Sequence, residues 1–308
     1  MRVINIGVHT VQKYQNPMCA CIGYFDGMHL GHQALVKATV ALAEKHNCES
    51  ALITFEPDPW VTIKGLKDVK HITTMRQRIN RAVELGIQNI IILDFDKEMS
   101  ELSPTDFIHK TLAKLNLKGI VCGFDFHYGL HGAGDCNTLK EETEYDVVVI
   151  DAVEDEVGKI SSTRICDAIV RGDMPAIKKM LGQFYSLEGI VRHGHQQGRL
   201  MGFPTANIEY SDEYLLPKEG VYASMVEIDH HTYGAMTNLG HNPTFNTSEK
   251  LSLETYIIGY SGTLYGKILK VQLLEYLRPE IHFKSRENLI LQLEQDVRDI
   301  KKILLKYE

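Results

Sequence analysis

No apolar run in the chain approaches the ~20 residues a membrane helix needs. Stretches such as Ile90–Leu93 and Val147–Ile150 are only strand-sized, which argues against a pump or channel. The opening Met1-Arg2-Val3-Ile4-Asn5 lacks the apolar core of a secretory signal. Positive charge is not in excess either. Lys and Arg number 33 against 40 Asp and Glu, a net charge of −7. A surface that coats nucleic acid needs clustered cations, so that role loses support. The six cysteines contain no C-x-x-C pair and no secreted-type framework. Reduced thiols in a cytoplasmic protein are therefore expected. Cys19 and Cys21, at i,i+2, read more simply as small buried side chains than as metal ligands. Neither a Walker A motif nor a G-x-G-x-x-G turn is present, which weakens P-loop and dinucleotide-oxidoreductase readings.

The chain has 308 residues, enough for two domains. A hydrophobic fraction of 44% with 24% charged residues suits a globular protein rather than a disordered one. In the first half, short apolar runs alternate with helical spacing. Strands are expected at Met18–Gly23, Ala51–Phe55, Asn89–Phe95, Lys118–Gly123 and Tyr145–Ile150. Helices are expected over Gly31–His46, over Thr73–Leu85, from Ser103-Pro104, and over Thr163–Arg171 and Asp173–Leu181. This alternation implies crossover connections and a parallel sheet covered on both faces. Such sheets bind ligands beyond the carboxyl ends of their strands. After about Gln183 the period changes to two, in Gly220–Glu227, Leu251–Ile258 and Lys267–Leu277. An antiparallel barrel or sandwich follows. In the last segment Leu269, Val271, Leu273 and Leu277 share a face that Glu275 interrupts. A final helix is expected from Ser285 to Lys306, with Leu289, Leu293, Val297, Ile300 and Leu304 as its buried stripe.

Three segments of the first half point to phosphate. Gly23-Tyr24-Phe25-Asp26-Gly27-Met28-His29-Leu30-Gly31-His32 links the Met18–Gly23 strand to the first helix. Helix-start amides attract anions, and two imidazoles at i,i+3 share a face from which they can donate to phosphate. Gly31 would let backbone and ligand approach. Two surface histidines at a helix start are the plainer alternative, and no third zinc ligand stands at a telling spacing. Gly123-Phe124-Asp125-Phe126-His127-Tyr128-Gly129 follows a later strand. Ile160-Ser161-Ser162-Thr163-Arg164 opens a helix with hydroxyls and a cation. Plain N-capping would also explain Ser162 and Thr163.

The second half carries the most specific block, Gly198-Arg199-Leu200-Met201-Gly202-Phe203-Pro204-Thr205-Ala206-Asn207. Its glycines allow backbone to wrap phosphate, and Arg199 adds charge. Thr205 and Asn207 point the same way on an extended segment and offer hard oxygen donors suited to Mg²⁺. Glu254 lies in an otherwise apolar strand, on the face of Ser252 and Tyr256. A carboxylate there is costly unless it is partnered or functional. A solvated strand face explains it equally well.

The order G-x-F-D-G-x-H-x-G-H, G-x-D-F, I-S-S-T and G-R-x-x-G-F-P-T-A-N resembles the bacterial bifunctional riboflavin kinase/FAD synthetases over nearly the whole chain. The resemblance implies an α/β doubly wound parallel-sheet nucleotidylyltransferase domain over residues 1–182. An antiparallel β-barrel riboflavin kinase domain with a C-terminal helix follows over 183–308. It implies ATP as co-substrate, Mg²⁺, and riboflavin and FMN as ligands. Gly23, Phe25, Asp26, Gly27, Ser162, Thr163 and Arg164 would bind ATP in the first domain, with His29 and His32 catalytic and Asp125 on the flavin. Gly198, Arg199, Gly202 and Pro204 would bind ATP in the second. There Thr205 and Asn207 would hold metal, and Glu254 would be the general base. Asp58, Cys166 and Asn242 depart from the pattern where it usually carries His, Arg and Arg, and His195 and Gln196 replace a more charged loop. A kinase with an altered adenylyltransferase half and a flavin- or nucleotide-sensing module remain open alternatives. The sequence sets no oligomeric state.

Overall fold

The computed structural model describes residues 1–194, 198, 201–241 and 251–307. The chain divides into two compact units, Met1–Ser162 and Thr163–Glu308. That division falls one residue into the helix Ser162–Arg171.

The first unit is built on six strands: β1 (Arg2–Ile6), β2 (Met18–Ile22), β3 (Glu49–Glu56), β4 (Asn89–Asp94), β5 (Leu117–Gly123) and β6 (Asp146–Ile150). All pair in parallel, in the order β1-β4-β3-β2-β5-β6. Alternate residues feed two separate cores. Ala20, Ile22, Ile53 and Ile91 pack on one face with Phe107 and Leu112. Cys19, Cys21, Leu52 and Ile90 pack on the other with Val36 and Leu42. This double burial explains why the strands read as nearly continuous apolar runs. The two cysteines are fully buried, as the plainer reading expects. β1 was not foreseen. It is an edge strand with only Ile4 and Ile6 buried, so its apolar signal is thin. A small hairpin, β7 (Glu154–Asp155) and β8 (Gly158–Lys159), follows the sheet.

From β2 the chain moves to β3 on one side, whereas β5 leads to β6 on the other. The winding therefore reverses between β2 and β5. Ligand crevices open at such a point, outside the carboxyl ends of the strands. The segments Gly23–His32 and Gly123–Gly129 both start there.

The second unit carries a closed barrel of β9 (Tyr185–Arg192), β10 (Thr205–Tyr210), β11 (Gly220–Ile228), β12 (His231–Gly240), β13 (Ser252–Ile257) and β14 (Ile268–Arg278). The strands close in the order β10-β13-β12-β11-β14-β9, every pairing antiparallel. The lumen is filled. Tyr222, Leu187 and Val271 are fully buried. Ser224, Thr237 and Thr255 form a hydrogen-bonded hydroxyl ladder at 2.7 and 3.0 Å among them. The outer face supports the terminal helix Arg286–Leu304, whose Ile300 and Ile303 pack on Val221, Ala223, Met236 and Leu274.

The expected face of β14 needs one correction. Ser224 pairs with Leu273 but Ala223 pairs with Glu275, so a bulge absorbs Leu274. Leu273 and Leu274 are both buried, and the alternation restarts. Glu275 consequently faces the helix side, where it accepts from Lys306 Nζ at 3.0 Å and Tyr307 Oη at 3.1 Å.

Candidate active sites

In the first unit the loop after β2 is held in an unusual backbone. Phe25 (φ 60°), Gly27 (φ 79°) and Met28 (φ 44°) all lie in the left-handed region. Two of these are not glycine, so outside contacts must hold them there. The Asp26 carboxylate provides them. It accepts from the amides of Ile72 and Thr73, each at 3.0 Å, and from the Thr73 hydroxyl at 3.1 Å. Thr73 Oγ1 also accepts from the Gly27 amide at 2.9 Å. Ser162 Oγ donates to the Asp26 carbonyl at 3.2 Å, bringing the third motif to the first. Thr163 and Arg164 continue that helix within the second unit. Phe25 and Gly23 belong to the scaffold. The Phe25 ring is buried and contacts His32 edge-on at 5.2 Å, while a Cβ on Gly23 would meet that ring at 3.3 Å.

His29 caps the helix Leu30–Lys45. Its Nδ1 accepts the His32 amide at 3.3 Å. That bond leaves the proton on Nε2, a donor for a ligand. The two imidazoles stack at 3.6 Å between centroids. Burial pushes His29 down to about 4 against the opposing pull of Asp26. Burial, then His29, Arg78 and Lys159, hold His32 well below the ordinary imidazole value. Both rings are thus neutral donors near pH 7. Gly31 has a reason beyond backbone approach: a Cβ there would come within 3.0 Å of the His29 ring. The helix needs glycine at that turn so that its own cap can fold back.

Asp125 is exposed after β5 and forms an ion pair with Lys159 of β8, which also lies over the Phe124 ring at 4.6 Å. Sequence reasoning missed Lys159. Only its place just before Ile160-Ser161-Ser162 could have drawn notice. It missed a second group as well. His71 Nδ1 lies 3.9 Å from Asp26 Oδ2 and 3.8 Å from Asp58 Oδ2. The Tyr24 carbonyl accepts from buried Arg78 at 3.2 Å and from Thr54 Oγ1 at 3.1 Å. Asp58 Oδ1 caps the next helix through the Trp60 amide at 2.8 Å.

The second site is on the outer face of the barrel. Gly198 O accepts from the amides of Met201 at 3.0 Å and Phe203 at 2.9 Å, closing a tight turn. A Cβ on Gly198 would lie 2.3 Å from the Phe203 carbonyl, and Gly202 takes φ 83°. Pro204 leads from that turn into β10. Arg199, His195, Gln196 and Asn242 lie outside the described residues. Asn207 pairs in register with Glu254 across β10 and β13, and Thr205 pairs with Tyr256. Opposed residues project on one face, so Thr205, Asn207 and Glu254 converge. Thr205 Oγ1 donates to Glu254 Oε2 at 3.4 Å. The hydroxyl of Thr205 and the amide of Asn207 offer oxygen donors suited to Mg²⁺, which takes few protein ligands alongside phosphates and water, and the Glu254 carboxylate lies beside them. Among the described residues, no group of three or more His, Cys, Asp or Glu could hold a metal by itself.

Comparison with known proteins matches both halves. A family model described as FAD synthetase covers residues 11–164, and one described as riboflavin kinase covers residues 181–304. A Listeria monocytogenes bifunctional riboflavin kinase/FMN adenylyltransferase is 36% identical, covering 93% of this chain and 92% of its own. Its Bacillus subtilis counterpart is 33% identical, covering 94% and 93%. A solved Streptococcus pneumoniae structure, titled a macrolide-efflux protein, matches with TM-score 0.88 at 31% identity, covering 97% of this chain and 99% of that one. Among the described residues of this chain, no helix is long and apolar enough to cross a membrane. With both halves matched in order and relatives aligned over nearly their full length, the chain belongs to the bifunctional riboflavin kinase/FMN adenylyltransferase family.

Proposed function

We propose that the chain makes FMN from riboflavin and ATP in its barrel unit, and FAD from FMN and ATP in its parallel-sheet unit. The observation that carries this reading is the convergence of Thr205, Asn207 and Glu254 on one outer face of the barrel. Glu254 takes the proton of the riboflavin 5′-hydroxyl. That oxygen attacks the γ-phosphorus of ATP as the bond to the ADP oxygen breaks. The Gly198–Pro204 turn and Arg199 receive the phosphates. Thr205 and Asn207 would hold Mg²⁺, which when bound neutralises charge on the ATP phosphates.

In the first unit an FMN phosphate oxygen attacks the α-phosphorus of ATP, and pyrophosphate leaves. No covalent enzyme intermediate is required. His29 Nε2 donates to the oxygens where charge accumulates, supported by the stacked His32 and by the nearby Lys159. Ser162, Thr163 and Arg164 hold the triphosphate, with Gly23, Phe25, Asp26 and Gly27 shaping the loop around it, and Asp125 faces the flavin. We put the domain boundary near residue 182, where the helical pattern of the sequence ends. A cytoplasmic location accords with six free thiols.

The test is to incubate the purified protein with riboflavin, ATP and Mg²⁺ and to separate the products chromatographically. FMN followed by FAD is expected. A second reading, a kinase with a weakened adenylyltransferase, draws on Asp58 and Cys166, which place no cation where the pattern usually has one. FMN without FAD would favour it.

A further inference from the structure

The register of the barrel places a second amide beside the proposed base. Glu254 of β13 is opposite Asn207 of β10 on one side and opposite Asn238 of β12 on the other. Directly opposed residues share a face, with Cβ atoms roughly 4.5–5.5 Å apart. The outer wall therefore carries a row of amide, carboxylate and amide. Asn207, with Thr205 next to it, belongs to the phosphate side of that row. Asn238 lies on the far side.

The two ends of the Asn238 amide have different surroundings. Its Nδ2 donates to Glu280 Oε1 at 2.9 Å, which fixes the orientation, since the flipped amide would set oxygen against oxygen. Its Oδ1 is shielded from water and has no hydrogen-bond partner among the described residues. Buried acceptors in native proteins are nearly always paired, so such an atom calls for an explanation. Gly240 shows that the position of Glu280 is accommodated by the strand itself. A Cβ at Gly240 would lie 2.1 Å from Glu280 Oε1.

A buried acceptor one strand away from a general base fits a substrate with hydroxyls on adjacent carbons. A chain running across the strands would present one hydroxyl to Glu254 and its neighbour to Asn238. Resting on the riboflavin kinase reading, we infer that Asn238 is a specificity-determining residue for a vicinal polyol. Its Oδ1 accepts from the hydroxyl next to the one that Glu254 deprotonates, and Glu280 is the positioning residue that holds the amide. A simple primary alcohol leaves Oδ1 unpaired and is a poor substrate.

The test compares riboflavin with 4′-deoxyriboflavin, which lacks the hydroxyl adjacent to the reacting one. The wild-type protein is expected to prefer riboflavin by about 10- to 100-fold in kcat/KM. Asn238→Ala is expected to lose about as much on riboflavin and to show no further penalty with the deoxy substrate, because both changes remove the same contact. Glu280→Ala alters an exposed side chain and is expected to reduce the discrimination with kcat less affected. Glu280→Gln keeps an acceptor and should preserve it. Equal penalties on both substrates in Asn238→Ala and Glu280→Ala would show merely structural roles and overturn the inference. Absence of discrimination in the wild type would overturn it as well. If the wild type formed no FMN from riboflavin, the kinase reading itself would fall, and this inference with it.

Discussion

The two units build their sites by opposite means. In the parallel-sheet unit the groups arrive on loops, helix starts and a small hairpin from distant parts of the chain. His29 follows β2, Asp125 follows β5, and Lys159 and Ser162 follow β6. In the barrel the groups sit on hydrogen-bonded strands, with Asn207, Glu254 and Asn238 in register. The first arrangement depends on anchors such as Asp26 and on left-handed backbone that those anchors hold. The second depends on strand pairing, which fixes which side chains face each other. Loop anchors and protonation should therefore tune the first site, and register and packing the second.

The largest test of that contrast is Glu254→Gln. FMN formation should fall about 10²- to 10⁴-fold while FAD formation from supplied FMN persists, followed chromatographically. Next, replacing His29 and His32 together by alanine should lower FAD formation about 10²- to 10³-fold and spare the kinase. Loss of both activities in either folded variant would break the division of labour.

A third test concerns stability. Asp296 is 2% exposed and is held by Arg278, whose Nη2 donates to Oδ2 at 2.7 Å. Arg278→Ala leaves a buried carboxylate without its cation, at a cost of about 3–5 kcal/mol. Denaturant unfolding should show the loss in the kinase transition, with FMN adenylylation still measurable under mild conditions.

Acid should separate the units in another way. In the unfolded chain an imidazole takes its proton near pH 6.5, whereas His29 resists protonation down to about 4. His32 is shifted in the same direction. Between these limits the unfolded chain binds more protons than the folded one. The stability this contributes is complete above about pH 6.5 and is lost as pH falls toward 4. Thermal melting across that window should show the loss, and a His29→Gln, His32→Gln variant should flatten it.

The smallest effect is expected from Asp26→Asn, which exchanges one acceptor oxygen for an amide against the Ile72 and Thr73 donors. A cost of about 1–2 kcal/mol should appear as a higher KM for ATP in adenylylation, with kinase constants unmoved.

Sequence patterns carried the longer helices, and most of the parallel strands because both faces of that sheet are buried, whereas the short helices Pro59–Lys64, Lys97–Ser100 and Cys136–Glu142 span too few turns to show a period. Ser103 caps its helix ahead of Pro104 as expected, accepting the Asp106 amide at 3.1 Å. The barrel was less legible. β9 and β12 went unnoticed, since half-buried strands with polar residues such as Glu188, His231 and Thr232 give weak alternation. The bulge at Leu274 hid the reason for Glu275, because alternation assumes an unbroken ladder. At the first site, the motif histidines could be read from their spacing, but His71, Arg78 and Lys159 could not. Folding brings them to the loop from far along the chain, and no local period records that.

β13 has one more consequence. It is paired along both edges, to β10 and to β12, in a barrel with no free edge. The peptide at Glu254 can be released only by opening the cooperative unit around it. Its neighbouring amides should therefore be among the slowest in the protein to exchange with deuterated solvent. The strand that carries the proposed base is thereby held as firmly as any in the barrel.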